Sequence, residues 1–127
     1  MVEERIEDGH RIAELLASEV TGRKTGPLAD LGVVDADPDV TPTADGAFAY
    51  GIDRNGQRLA DVFVQPERAY LVVRTAVDTA VETATDADLR VRPKAAEPPR
   101  ALVFVESGAR VKWAVDVLAA VAGAAQG

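Results

Sequence analysis

The sequence predicts an α+β domain: a mostly antiparallel sheet of about five or six strands, with the N- and C-terminal helices packed on it. Three observations carry that expectation. Asn55-Gly56 lies between two apolar, β-rich runs, which marks a hairpin. Helical spacing of apolar residues is confined to the two ends of the chain and one central segment. The other apolar runs are short and joined by few residues, as in a meander.

The first element is a helix. Ile12, Leu15, Leu16 and Val20 recur near a 3.6-residue period, with the polar Glu19 on the same side. Asp8 is placed as its N-cap and Gly22 as its stop, while Val2 and Ile6 extend the pattern upstream with Gly9 as a weak point. An acidic, Pro- and Gly-rich stretch around 22–45 reads as loop, with Leu31-Gly32-Val33-Val34 as a short strand inside it. Pro38 ends any regular pairing there.

Asn55-Gly56 suits a type I′ turn, whose two central residues both need positive φ. A two-residue loop sets the register of Ala47–Ile52 against Leu59–Val64: Arg54 opposite Gln57, Ile52 opposite Leu59, Tyr50 opposite Asp61, Phe48 opposite Phe63. One face then carries Phe48, Tyr50, Ile52, Leu59, Phe63 and Asp61, and the other carries Ala and Val with Gly51. Both faces are apolar, so both are expected to be covered, by helices or by another subunit.

A turn at Pro66-Glu67 leads into a third strand, Ala69–Arg74. Ala76–Ala84 has helical spacing and Thr85–Asp88 breaks it. Leu89–Lys94 alternates basic and apolar residues, as a half-exposed strand does. Leu102–Val105 reads as a buried strand, and Ser107 as the cap of a last helix with Val111, Ala114, Val115, Leu118 and Val121 in one stripe. The expected order is α-β-β-β-α-β-β-α, as one domain over residues 1–127, with Val33-Val34 as a further strand whose place in the sheet stays open.

Composition narrows the function classes. The chain has no cysteine, which excludes disulfides, thiolate metal sites and cysteine nucleophiles, and one histidine, which excludes a histidine metal cluster. It begins with charged residues and has no apolar run of bilayer length, so a cytoplasmic protein without a membrane segment is expected. Asp and Glu number 21 against 14 Lys and Arg, a net charge of −7. Such self-repulsion costs stability in dilute buffer. In about 1 M salt the Debye length is only ~3 Å, and the repulsion is screened.

No motif specifies catalysis, and no cofactor is expected. Asp35, Asp37 and Asp39 alternate like the start of an EF-hand loop, but Val40 stands where Gly is required and Gly46 where a bidentate Glu is required. No metal site is expected there. Ser107, Asp116 and His10 lack the Gly-x-Ser-x-Gly elbow of a hydrolase, and His10 is expected on the surface. Two sets of residues remain as binding candidates. Arg74, Arg90, Arg92 and Lys94, with Ser107 at a helix start, could meet an anion or an acidic partner. Nucleic acid is not favoured, since phosphate contacts weaken steeply with salt and no aromatics interleave with the basic stripe. Phe48, Tyr50, Asp61, Phe63 and Trp113 form the candidate interface.

The acidic, Ala- and Val-rich composition, the opening Val2-Glu3-Glu4-Arg5-Ile6-Glu7-Asp8-Gly9, and Arg92-Pro93-Lys94 with Leu102-Val103-Phe104-Val105-Glu106 resemble a small haloarchaeal family of unknown function. Over residues 3–123 the element order is similar to that of type III secretion chaperones. That resemblance implies a dimeric, non-enzymatic binder of protein segments. The order helix–three strands–helix–strand also resembles the PD-(D/E)xK nucleases. Asp61 stands near their first metal ligand, but Val72-Val73-Arg74 replaces the Glu-x-Lys pair, which leaves at most a degenerate nuclease. The leading expectation is therefore a non-catalytic protein-binding or adaptor domain, a homodimer, whose protein partner the sequence does not name. The alternative is a small-ligand or nucleotide-sensing domain built on the basic stripe and Ser107.

Overall fold

The computed structural model describes residues 8–22, 29–95 and 98–125. Val2 and Ile6 lie outside them. The elements are α1 (Gly9–Gly22), β1 (Leu31–Val34), β2 (Ala47–Arg54), β3 (Gln57–Val64), β4 (Ala69–Val73), α2 (Val77–Asp86), β5 (Val91–Lys94), β6 (Arg100–Val105) and α3 (Val111–Ala125). The strands make one six-stranded antiparallel sheet in the order β1-β2-β3-β4-β6-β5. Val33 and Val34 do join it, at one edge beside β2, with Val34 opposite Gly51. The α+β class and the terminal helices agree with the sequence reading.

Local chemistry explains the helix starts unevenly. The Asp8 carboxylate accepts the His10 and Arg11 backbone N–H groups at 2.9 and 3.3 Å, so α1 has the expected cap. Ser107 differs from expectation. It is extended, its side chain caps nothing, and a 3₁₀ turn at Gly108–Arg110 intervenes before α3. The Ser107 carbonyl instead accepts the Arg110 N–H at 3.1 Å.

The hairpin turn is as read: Asn55 and Gly56 have φ of 51° and 85°. Its register is not. Arg54 pairs with Gln57 and Phe48 with Phe63, but Tyr50 pairs with Val62 and Ile52 with Ala60. One irregularity falls between Ile52 and Asp53 and a second between Phe48 and Tyr50. Leu59 is the extra residue in β3 and Ala49 the extra residue in β2. The two bulges cancel, so the ends of the hairpin match the simple register while its middle is shifted by one. A one-residue slip changes the face of a side chain. Tyr50 therefore points under α1, where its hydroxyl donates to the Ala13 carbonyl at 2.7 Å.

All three helices cover that same face. Ile12, Leu16 and Val20 of α1, and Val115, Leu118 and Val121 of α3, are fully buried with Ile52, Val62, Leu71, Val73 and Val103 of the sheet. α3 packs against both α1 and α2. Each fully buried Leu, Ile or Val contributes roughly 1.5–3 kcal/mol of transfer free energy. The core lies entirely between this helical layer and one side of the sheet.

Candidate functional site

Alternation along the strands puts a second set of side chains on the face away from the helices. One row runs across four strands. Phe48 and Phe63 meet edge-on at 5.8 Å, Phe63 and Tyr70 stack at 5.4 Å, and Tyr70 and Phe104 meet at 5.5 Å. The Arg68 guanidinium caps the row, 4.2 Å above the Phe104 ring. The Tyr70 hydroxyl donates to the Asp45 carbonyl at 2.9 Å. Desolvation first, and Asp45 second, raise the Tyr70 pKa above its ordinary value. Phe48 is 36% exposed, whereas Phe104 is 6% exposed beneath Arg68. The next row, Gly51, Asp61, Val72, Leu102 and Arg92, follows from the pairings of neighbouring strands.

A charge cluster interrupts this second row toward β1. Arg58 donates to Asp61 at 2.6 Å, to Asp53 at 2.7 Å and to Asp35 at 2.8 Å. Arg74 holds the other Asp61 oxygen at 2.6 Å. Hydrogen bonds to Asp61, then Asp53, raise the Arg58 pKa above its ordinary value. Asp61 is only 3% exposed, and two cations compensate the burial. With both oxygens engaged by arginines, it is built as an anchor for charge. Among the described residues, no group of three or more His, Asp or Glu side chains is placed to hold a metal ion.

The opposite edge is basic. Arg92 and Lys94 project from β5 opposite Leu102 and Arg100, and both are exposed. Arg90 precedes the strand and meets Glu106 at 3.2 Å, and Glu106 also accepts Arg68 at 3.2 Å. Arg100 Nε is out of reach of solvent and has no hydrogen-bond partner among the described residues.

The two sequence-derived candidate sets are therefore redistributed. Phe48, Phe63 and Asp61 share the open face with Arg74, Arg90, Arg92 and Lys94. Tyr50 leaves the interface set, because the compensating bulges turn it into the core. Trp113 lies apart from Phe48, Phe63 and Asp61: it is 40% exposed on α3, in the helical layer, beneath Lys112 Nζ at 4.9 Å. Ser107 follows the far end of β6, while Lys94 faces its beginning at Arg100, so the anion set does not close on one pocket. His10 is half-buried and bridges α1 to the following loop through the Pro38 carbonyl at 3.2 Å. Sequence reasoning missed Arg58, Tyr70, Phe104 and Arg100. The β3–β4 hairpin could have supplied Tyr70, but the pairing of β4 with β6 has no local sequence signal.

These features define a one-layer antiparallel sheet with helices on one side and an aromatic row, flanked by opposite charges, on the other. The chain belongs to a family of unknown function, DUF7993, whose model matches residues 1–127. No curated protein and no solved structure matches it. Among the described residues, no helix is long and apolar enough to cross a membrane.

Proposed function

We propose that this protein is a non-catalytic protein-binding domain whose docking surface is the open face of the sheet. The aromatic row Phe48–Phe63–Tyr70–Phe104 carries the reading. Four ring-bearing residues lie side by side on the face away from the helices, from the exposed Phe48 through the half-buried Phe63 and Tyr70 to Phe104 under Arg68, and an apolar row of this kind marks an interaction site. Aromatic residues with an arginine laid over them are also the side chains most enriched at interface hot spots. The partner's chemistry follows from the flanks: an apolar centre, acidic groups toward β5 and basic groups toward β1. An acidic surface of net charge −7 suits a cytoplasm of molar salt, in keeping with a halophilic archaeal protein. At such salt, association rests on apolar contact and on charge pairs shielded from bulk solvent.

The test is a pull-down from native-salt extract with the wild-type chain, Phe48→Asp and Trp113→Asp. The reading expects defined partners, this chain included, to be lost with Phe48→Asp and kept with Trp113→Asp. Partners retained equally by both variants would reject it.

A further inference from the structure

We infer that a second copy of this chain occupies the open face, in a sandwich whose twofold axis runs parallel to the strands above the β3–β4 boundary. The inference rests on the open face being the docking surface, and it names the occupant. With six strands ordered β1-β2-β3-β4-β6-β5, that axis sets β3 over β4, β2 over β6 and β1 over β5 of the mate. The overlay is complementary in chemistry. Along the ring row, Phe63 meets Tyr70 and Phe48 meets Phe104. At the charged end, Asp53 comes over Arg100, and the Asp35 carboxylate, held by Arg58 beside Gly51, comes over Arg92.

The free cations support this choice of mate. Arg58 and Arg74 already hold Asp61, and Arg90 holds Glu106. Arg92, Lys94 and Arg100 make no ion pair with any described residue, and Arg100 Nε is buried without a partner. A twofold axis perpendicular to the strands would instead lay β5 over β5 and put like charges together. Pairing along the β5 edge is blocked in a different way, since Pro93 has no N–H to donate and two cations flank it. Area is sufficient. Six strands at ~4.8 Å spacing and about six residues at ~3.4 Å give a projected face of roughly 600 Å². The corrugated surface is larger, and a standard interface buries about 800 Å² per partner. Stacked sheets sit about 10 Å apart with strand directions within roughly 30°, which the near-parallel overlay satisfies.

The experiment is light-scattering mass after size exclusion in molar KCl, on three forms: wild type, Arg92→Glu/Arg100→Glu and Asp35→Lys/Asp53→Lys. Far-UV circular dichroism confirms that each is folded. A twofold contact makes a specific demand. Each variant alone clashes with itself twice and runs as a monomer, while an equimolar mixture restores both charge pairs and runs as a dimer. A monomeric wild type overturns the inference, and so does a dimer that survives in both variants alone. The surface reading is separable. A monomeric wild type that loses a protein partner only with Phe48→Asp keeps the docking face and rejects the second copy as its occupant. If the Asp53 variant does not fold, Asp35→Lys alone takes its place, with a weakened dimer expected and an unchanged one contradicting the arrangement.

Discussion

The guanidinium of Arg58 lies directly on the bare backbone of Gly51: a Cβ built there would stand 2.4 Å from Arg58 Cζ and 2.5 Å from Nη1. Gly51 is thus the floor on which Arg58 reaches Asp35, Asp53 and Asp61 together. Gly51→Ala must lift the guanidinium off the sheet, at about 1–3 kcal/mol as for other overpacked sites. Because the cost lies in one contact, Gly51→Ala combined with Arg58→Ala should destabilise by less than the two single changes added. Urea unfolding of the four chains measures the difference.

Asp61 is the buried member of that cluster, and both arginines on it reach water, with side chains 31% and 46% exposed. Asp61→Ala is therefore expected to cost about 2–3 kcal/mol, below the ~3–5 of a fully buried broken pair. A change under 0.5 kcal/mol by urea unfolding would show that the cluster is electrostatically idle.

Gly9 opens α1 against backbone. A Cβ there would lie 1.9 Å from the Gln65 carbonyl oxygen and 2.5 Å from that of Arg68. In an isolated helix, Gly→Ala stabilises by about 1 kcal/mol. Here the sign reverses, and Gly9→Ala should lower the melting temperature, since α1 must move off the β3–β4 turn.

Tyr50 gives the protein an alkaline limit. Burial raises its phenol pKa well above its ordinary value of 10.0. The neutral form is thus favoured in the folded state, and its contribution is complete below pH 10.0. Stability falls as pH rises from there toward the folded value, because unfolding then releases a proton. Chemical denaturation at rising pH should show this decline, with a smaller slope in Tyr50→Phe.

Most elements were legible because their signals are local. The Asn55-Gly56 turn, the α1 cap at Asp8 and the 3.6-residue stripe of α3 each depend on a few neighbouring residues. The faces of the hairpin were not legible, because two bulges that cancel leave the turn and the far end unchanged. Tyr50 was therefore grouped with Phe48, although the fold puts them on opposite sides. The site was read in halves. Phe48, Phe63 and Asp61 were found in one strand pair and Arg90, Arg92 and Lys94 in another. Only the placement of β6 between β4 and β5 shows that they share a surface.

Oxidative footprinting of the aromatic rings tests the docking face most directly. A tagged chain is labelled in native-salt extract of its own cells, recovered, and compared with the purified dilute chain. Phe48 and Phe63 should be oxidised several-fold more slowly in the extract, with Trp113 on the helical layer unchanged. Equal oxidation of the Phe48–Phe63 pair in both samples, or protection of Trp113 alone, would contradict the account.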